Sequence, residues 1–116
     1  MIETIVRDYL IGSQIEGVGS NVFMEAPENK PKEYILIEKT ASGNEDQIES
    51  AMIAVQSISK ERLSNAAKIN EAVKARMKVF AEESNDIYSC RLNSDYNYTN
   101  TQTKEYRYQA VFNLYF

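Results

Sequence analysis

Apolar side chains at Ile2, Ile5, Val6, Tyr9 and Leu10 recur at the i, i+3, i+4, i+7, i+8 spacing of one helix face. The spacing predicts an amphipathic helix over 2–11, with Glu3 at the positive end of its dipole. Gly12 suits the left-handed position that closes a helix, and Gly17, Gly19, Ser20 and Asn21 make a loop after it. Val22 to Glu25 reads as a short strand ended by Pro27, with a turn from Pro27 to Pro31. Tyr34 to Lys39 is apolar on both faces in its middle, as a strand inside a sheet must be. Residues 41–47 read as a polar turn. Ile48 to Ile58 reads as a long strand, with Ile53, Val55 and Ser57 on one face and Met52, Ala54, Gln56 and Ile58 on the other.

Residues 60–82 are rich in Ala, Lys, Glu, Arg and Met, which favour helix. Ser59 is placed to cap that helix, and Glu61 falls in its first turn. Its apolar stripe runs Leu63, Ala66, Val73, Met77 and Phe80, with Ile69 at the edge and Asn70 interrupting it. Ser84 to Asp86 is a turn, Ile87 to Tyr98 alternates as a strand, and 99–103 is a polar loop. From Tyr106 to Phe116 the chain alternates with a period of two. The last two segments are expected to pair as a long hairpin that partly projects. The order is α-β-β-β-α-β-β, with no composition break. The fold class expected is α+β: one antiparallel or mixed sheet of four to five strands, two helices packed on one face, a single domain over 1–116.

Composition narrows the chemistry. The chain has 116 residues, 13 Lys+Arg, 17 Asp+Glu, one Cys and no His. Without His there is no Ser-His-Asp triad and no imidazole metal ligand. A single cysteine, Cys90, excludes an internal disulfide and a multi-cysteine zinc site. A net charge of −4 argues against a nucleic-acid binder, which needs clustered cations. No apolar run reaches the roughly 18–20 residues of a membrane span. The opening residues lack the basic and apolar regions of a secretory signal, so a cytoplasmic setting is expected. No catalytic, cofactor-binding or metal-binding residue is assigned.

The remaining candidates read as structural. Glu82, Glu83 and Asp86, and Glu45, Asp46 and Glu49, form acidic clusters in expected turns, where solvation favours solubility over acid–base work. Asn93, Asp95, Asn97 and Thr99 follow the first half of a calcium loop, but the sixth and twelfth positions hold Tyr98 and Lys104 instead of Gly and Glu. Cys90, with no activating base, reads as a small buried apolar residue. The glycines lack the spacing of a phosphate loop, and the Asn97-Tyr98-Thr99 sequon has no meaning without secretion. Eight of the twelve Tyr and Phe residues follow residue 87. With few cations beside them, they fit strand packing and a protein interface better than base stacking. Charge is uneven too: residues 1–60 hold 5 basic and 10 acidic side chains, and residues 61–116 hold 8 and 7. If these halves lie on different faces, neighbouring copies can meet acidic to basic, which sets orientation more than affinity.

Particular strings resemble a known family. These are Glu28-Asn29-Lys30-Pro31-Lys32-Glu33-Tyr34-Ile35-Leu36-Ile37-Glu38-Lys39-Thr40, Ala54-Val55-Gln56-Ser57, and Ile69-Asn70-Glu71-Ala72-Val73-Lys74. The same holds for Leu92-Asn93-Ser94-Asp95-Tyr96-Asn97-Tyr98-Thr99 and Lys104-Glu105-Tyr106-Arg107-Tyr108-Gln109-Ala110-Val111-Phe112. Over nearly the whole chain they resemble tail-terminator, or tail-completion, proteins of prophages and phage-tail-like particles of Gram-positive, clostridia-like bacteria. Gln14 to Asn21 departs from that pattern, being longer and richer in Gly. The resemblance implies a non-enzymatic structural subunit that forms a ring, usually a hexamer, on the finished tail tube. Such a ring stops tube polymerisation and offers a surface to the neck or head; in contractile tails it also touches the sheath. The implied partners are further copies of the chain, the tube protein, the sheath protein and the neck or head connector, with no cofactor, no membrane and no direct nucleic-acid recognition. The implied location is the host cytoplasm during assembly and then the tail or neck of the particle. The candidate interface residues are Tyr96, Tyr98, Tyr106, Arg107 and Tyr108 on the C-terminal hairpin. The alternatives are a head-closure or neck adaptor, and a small cytoplasmic ligand-binding domain.

Overall fold

Residues 48–59 carry apolar and small side chains on both faces, and the sheet is built around them. In the computed structural model, which describes residues 1–103 and 105–116 apart from the Glu45 side chain, the elements run in the expected order. They are α1 (Ile2–Gly12), β1 (Val22–Phe23), β2 (Glu33–Glu45), β3 (Ile48–Ser59), α2 (Leu63–Lys78), α3 (Phe80–Glu83), β4 (Ser89–Asn97) and β5 (Tyr106–Tyr115). The five strands form one sheet in the order β1-β2-β3-β5-β4. Only β1 runs parallel to its neighbour, and the other pairings are antiparallel. The sheet is therefore mixed, and the fold is α+β.

The helices cover one face. Ile35 and Ile37 of β2, Ala51, Ile53 and Val55 of β3, and Ala110, Phe112 and Leu114 of β5 line that face by register and are buried. Against them pack Ile2, Val6 and Leu10 of α1, Ile69, Val73 and Met77 of α2, and Phe80 of α3. Burying such side chains contributes about 1.5–3 kcal/mol each, which offsets the entropy of ordering them. Tyr9 stacks on Phe80 with ring centroids 4.2 Å apart, tying α1 to α3.

Several boundaries differ from those the sequence predicts. Gly12 is the last helical residue rather than the left-handed one. Ser13 follows in right-handed geometry, and the left-handed residue is Gln14, at φ 50°. Ser13 Oγ and Gln14 Nε2 donate to the carbonyls of Tyr9 and Ile11 and so close the helix end themselves. The short strand ends at Phe23 rather than Glu25. The expected turn over 41–47 is instead strand as far as Glu45, with a two-residue turn at Asp46 and Gln47, both at positive φ. Its polarity reflects position: this end of the hairpin runs beyond the helical layer, so no core demands apolar residues there. The long helix starts at Leu63, three residues later than expected, and breaks at Val79 into α2 and α3. Ser59 Oγ accepts the N–H groups of Glu61 and Arg62, so it caps the turn ahead of the helix. Leu63, expected in the buried stripe, is exposed, and Ile69, expected at its edge, is buried. Strand β4 begins at Ser89 rather than Ile87.

Gly17 has a local reason. Its φ is +85°, and a Cβ there would lie 2.6 Å from Glu33 Oε1. Glu33 in turn accepts the Ser59 hydroxyl at 3.0 Å, which fixes the carboxylate against the loop.

Two tyrosines give the fold an alkaline limit. Burial, and then the Glu105 carboxylate beside it, push Tyr34 above the ordinary value of 10.0. Burial, and then a hydrogen bond to Glu83, do the same to Tyr9. Both stay protonated in the folded chain while the unfolded chain ionises through pH 10, so the unfolded state binds fewer protons there. Their contribution is complete below pH 10 and is lost as pH rises above it. Thermal unfolding followed from pH 8 to 11 should show a melting temperature that falls above pH 10, with a shallower fall in Tyr34→Phe.

Candidate assembly surfaces

The side chains singled out for chemistry do not converge. Glu82, Glu83 and Asp86 are exposed at the end of α3. Glu83 is held by Arg76 at 2.7 Å and by the Tyr9 hydroxyl at 2.9 Å. Asp46 and Glu49 are exposed at the β2–β3 tip. In the calcium-like stretch, Asn93 sits at a bulge of β4, and Asp95 is committed to Lys74 at 3.2 Å and to Asn70 Nδ2 at 3.4 Å. That contact also explains why Asn70 interrupts the apolar stripe of α2: it is buried and turned toward β4. Lys104 and the Glu45 side chain lie outside the described residues. Among the described residues no group of three His, Cys, Asp or Glu side chains gathers closely enough to hold a metal ion. Cys90 is half-buried, and burial pushes its thiol up to about 12, far from a reactive thiolate. No described helix is long and apolar enough to cross a membrane.

The face away from the helices carries a polar chain instead. Tyr34 and Ile58 are buried there, Tyr34 with Phe23 edge-on at 6.1 Å. The Tyr34 hydroxyl donates to Glu105 Oε2 at 3.4 Å, and Lys30 Nζ lies 3.6 Å from the same oxygen. Glu105 Oε1 accepts from Arg107 Nη2 at 3.2 Å, and Arg107 Nη1 donates to Gln56 Oε1 at 3.0 Å. Gln56 Nε2 then donates to Gln109 Oε1 at 2.7 Å, and Gln109 Nε2 donates to the Tyr96 hydroxyl. Buried Gln56 and Glu105 are thereby satisfied. Gln56 stands out in the sequence as a polar residue inside an apolar run; nothing in the local pattern marks Glu105, which lies in the loop between the two hairpin strands.

The five candidate interface residues divide between the two faces. Tyr96, Tyr98 and Arg107 lie on the uncovered face. Tyr96 and Tyr98 are 42% and 51% exposed and pack edge-on at 5.9 Å. Arg107 is half-buried in the polar chain. Tyr106 and Tyr108 alternate with it, pair with Ser59 and Ser57, and so lie on the helix side, half-buried. The exposed aromatic side chains of the hairpin are therefore Tyr96, Tyr98 and Tyr115, the last 42% exposed, with Tyr88, 78% exposed, just ahead of β4.

The sheet has two open edges. β1 covers β2 only at Ile35 and Leu36, so among the described residues β2 from Ile37 onward has no strand on its outer side. β4 pairs on one side only, with β5. Beside β4 an open groove of about 560 Å³ separates it from α2, lined by Phe112, Leu92 and Ala75 with Glu71, Lys74 and Lys78; Arg91, which pairs with Asn113, alternates to the other face of the strand.

This arrangement of layers and edges is also found elsewhere. The chain aligns with a chain from the virion of a native gene transfer agent particle at a TM-score of 0.65, covering 96% of this chain and 83% of that one. The fold recurs in a virion. Identity over the match is 12%, so the likeness is one of fold. No family model and no curated protein matches the sequence.

Proposed function

We propose that this chain is a structural protein of a phage or phage-tail-like particle, forming a ring at the head-proximal end of the tail tube. In this reading the ring ends tube and sheath polymerisation and offers the surface to which a neck or head attaches. The observation that carries it is the fold shared along nearly the whole chain with a gene transfer agent virion chain. The full-length resemblance to tail-terminator sequences supports the specific position. Two unpartnered sheet edges on opposite sides of the subunit suit it as well. A head-to-tail ring needs two different surfaces on each copy, and open strands are ready sites for continuing a sheet across a boundary. Tyr96 and Tyr98 are the hairpin side chains placed to meet a neighbouring copy or the tube. No catalytic constellation among the described residues competes with this assignment.

Deleting the protein from its particle tests the position. Loss of a terminator leaves tubes that are overlong or irregular in length. Tails of normal length that simply lack heads would contradict termination and assign the chain to the neck as an adaptor.

A further inference from the structure

Both open edges of the sheet carry the same irregularity. Lys39 pairs with Ile53 and Ala41 with Met52, so β2 holds an extra residue, Thr40, against one step of β3. Leu92 pairs with Phe112 and Ser94 with Val111, so β4 holds an extra residue, Asn93, against one step of β5. Ile53 pairs with Phe112, so the two bulges border one row of the sheet.

The edges also match in length, direction and orientation. β4 has 9 residues, and the stretch of β2 beyond β1, Ile37 to Glu45, has as many. Each runs along a shorter stretch of its inner neighbour, Ile48 to Val55 for β2 and Tyr108 to Tyr115 for β4. The successive antiparallel pairings of β2, β3, β5 and β4 make β2 and β4 run in opposite directions. Copies standing the same way up therefore offer antiparallel edges to each other. The Ile35 N–H donates outward to Asn21 O at 2.9 Å, so Ile37, two residues on, also presents its backbone groups outward. The Tyr98 N–H donates inward to Arg107 O at 2.7 Å, so Asn97, one residue before, presents its own outward. Glu38 to Asn44 are all exposed.

We infer that the free edge of β2 in one copy pairs with β4 of the next as an antiparallel ladder, from Ile37 opposite Asn97 to Glu45 opposite Ser89. The inference rests on the ring reading above and names the contact that joins its copies. A regular strand laid on either edge would need a two-against-one step of its own at the bulge. Two edges with one extra residue each pair residue for residue, and their faces agree on both sides of the bulges. Ile37 and Asn97 share the helix face, and Gly43 and Arg91 share the uncovered face. An odd slip would bring opposite faces together, and a slide past Ile37 would run into β1. Level rows would set Ser89 against Gly43, so this ladder staggers by two residues, as tilted strands do when a sheet closes on itself. Lys39, with no ion-pair partner among the described residues, comes opposite Asp95, whose side chain is 26% exposed. Where the ladder ends, Tyr98 reaches Phe23 of the next copy on the uncovered face. Bulges guard open edges against stray strands, and this guard admits an edge with the same bulge. Two different edges on each copy make the contact heterologous, as a ring requires.

Disulfide trapping tests it. Ser42 and Leu92, both exposed, come directly opposite each other in the ladder. Within one chain they lie on opposite edges, three strand spacings or about 14 Å apart, beyond the reach of a disulfide. The variant Ser42→Cys with Leu92→Cys, made with Cys90→Ser so that no native thiol competes, is oxidised at high concentration with copper phenanthroline. Non-reducing gels should show covalent dimers, trimers and longer chains up to a closed ring. Either new thiol alone should give dimers at most. Moving the second thiol from Leu92 to Arg91 turns it to the other face and should slow linking at least about tenfold. Circular dichroism confirms that each variant folds. A double-thiol variant that does not link, or one that links no faster than its Arg91 counterpart, would overturn the contact. Chains that lengthen without stopping at one closed size keep the contact and fail the ring reading. Overlong tubes in particles lacking the protein, together with no linking, fail the contact alone.

Discussion

Phe112→Ala should lower the unfolding free energy by about 3–5 kcal/mol. Phe112 is 2% exposed, pairs with Ile53 on one side and Leu92 on the other, and lies beneath α2. Removing its ring deletes buried apolar area and leaves a void that β3, β5 and α2 are too firmly paired to close. For a domain of this size the melting temperature should fall by roughly 10–20 °C. Leu92→Ala is the control. Leu92 sits directly opposite Phe112 but is 47% exposed, so its truncation should cost under about 1 kcal/mol. Chemical denaturation of the two variants measures the difference. Equal costs would mean that the groove beside β4 is closed in solution and that Leu92 is part of the core.

Glu105→Gln should cost about 2–4 kcal/mol. The Glu105 side chain is 12% exposed and touches Arg107, Lys30 and Tyr34. Glutamine keeps the shape but removes the charge, and leaves the Arg107 guanidinium, 21% exposed, without its carboxylate. The pair itself is worth less than the damage of breaking it, because burying both charges has already cost desolvation. A double variant, Glu105→Leu with Arg107→Met, should therefore recover part of the loss. Urea unfolding of Glu105→Leu, Arg107→Met and the double gives the coupling directly, and an additive cycle would mean that the polar chain does not stabilise the fold. Gln56→Leu should be milder, since it leaves the ion pair intact.

The sequence was most informative where one physical demand dominated. The stripe of α1 and the period-two run of β5 were legible because each element has one buried face, and burial writes its period into the chain. Strand β3 was legible for the opposite reason, since both of its faces are buried from Ile53 onward, which makes it mostly apolar there apart from Gln56 and the serines. The tip of the β2–β3 hairpin was not: Ala41 to Glu45 holds strand geometry by hydrogen bonds to β3 and carries no core signal, so its polarity reads as a turn. The break at Val79 was hidden because Phe80 keeps the helical spacing across it. Asn70 showed as a fault in a stripe, yet its partner Asp95 lies 25 positions away.

The candidate surfaces were legible only in part. Composition pointed to the C-terminal hairpin, and Tyr96 and Tyr98 are indeed exposed there, whereas Tyr106 and Tyr108 are half-buried on the other face. The strand register decides which tyrosines share a face, and the bulge of β4 between Leu92 and Ser94 shifts that register in a way that spacing alone does not reveal. The charge difference between the two halves was visible in the sequence. That it separates the two edges of one sheet follows only from the order β1-β2-β3-β5-β4.

Where the chain sits in a particle decides the proposed function. Electron cryomicroscopy of the head-proximal end of an intact tail, with the symmetry counted, should find this fold as a closed ring, six copies if it follows the terminators it resembles, capping the last ring of the tube. Finding the chain distributed along the tube, in the tail tip or absent from the particle would contradict it.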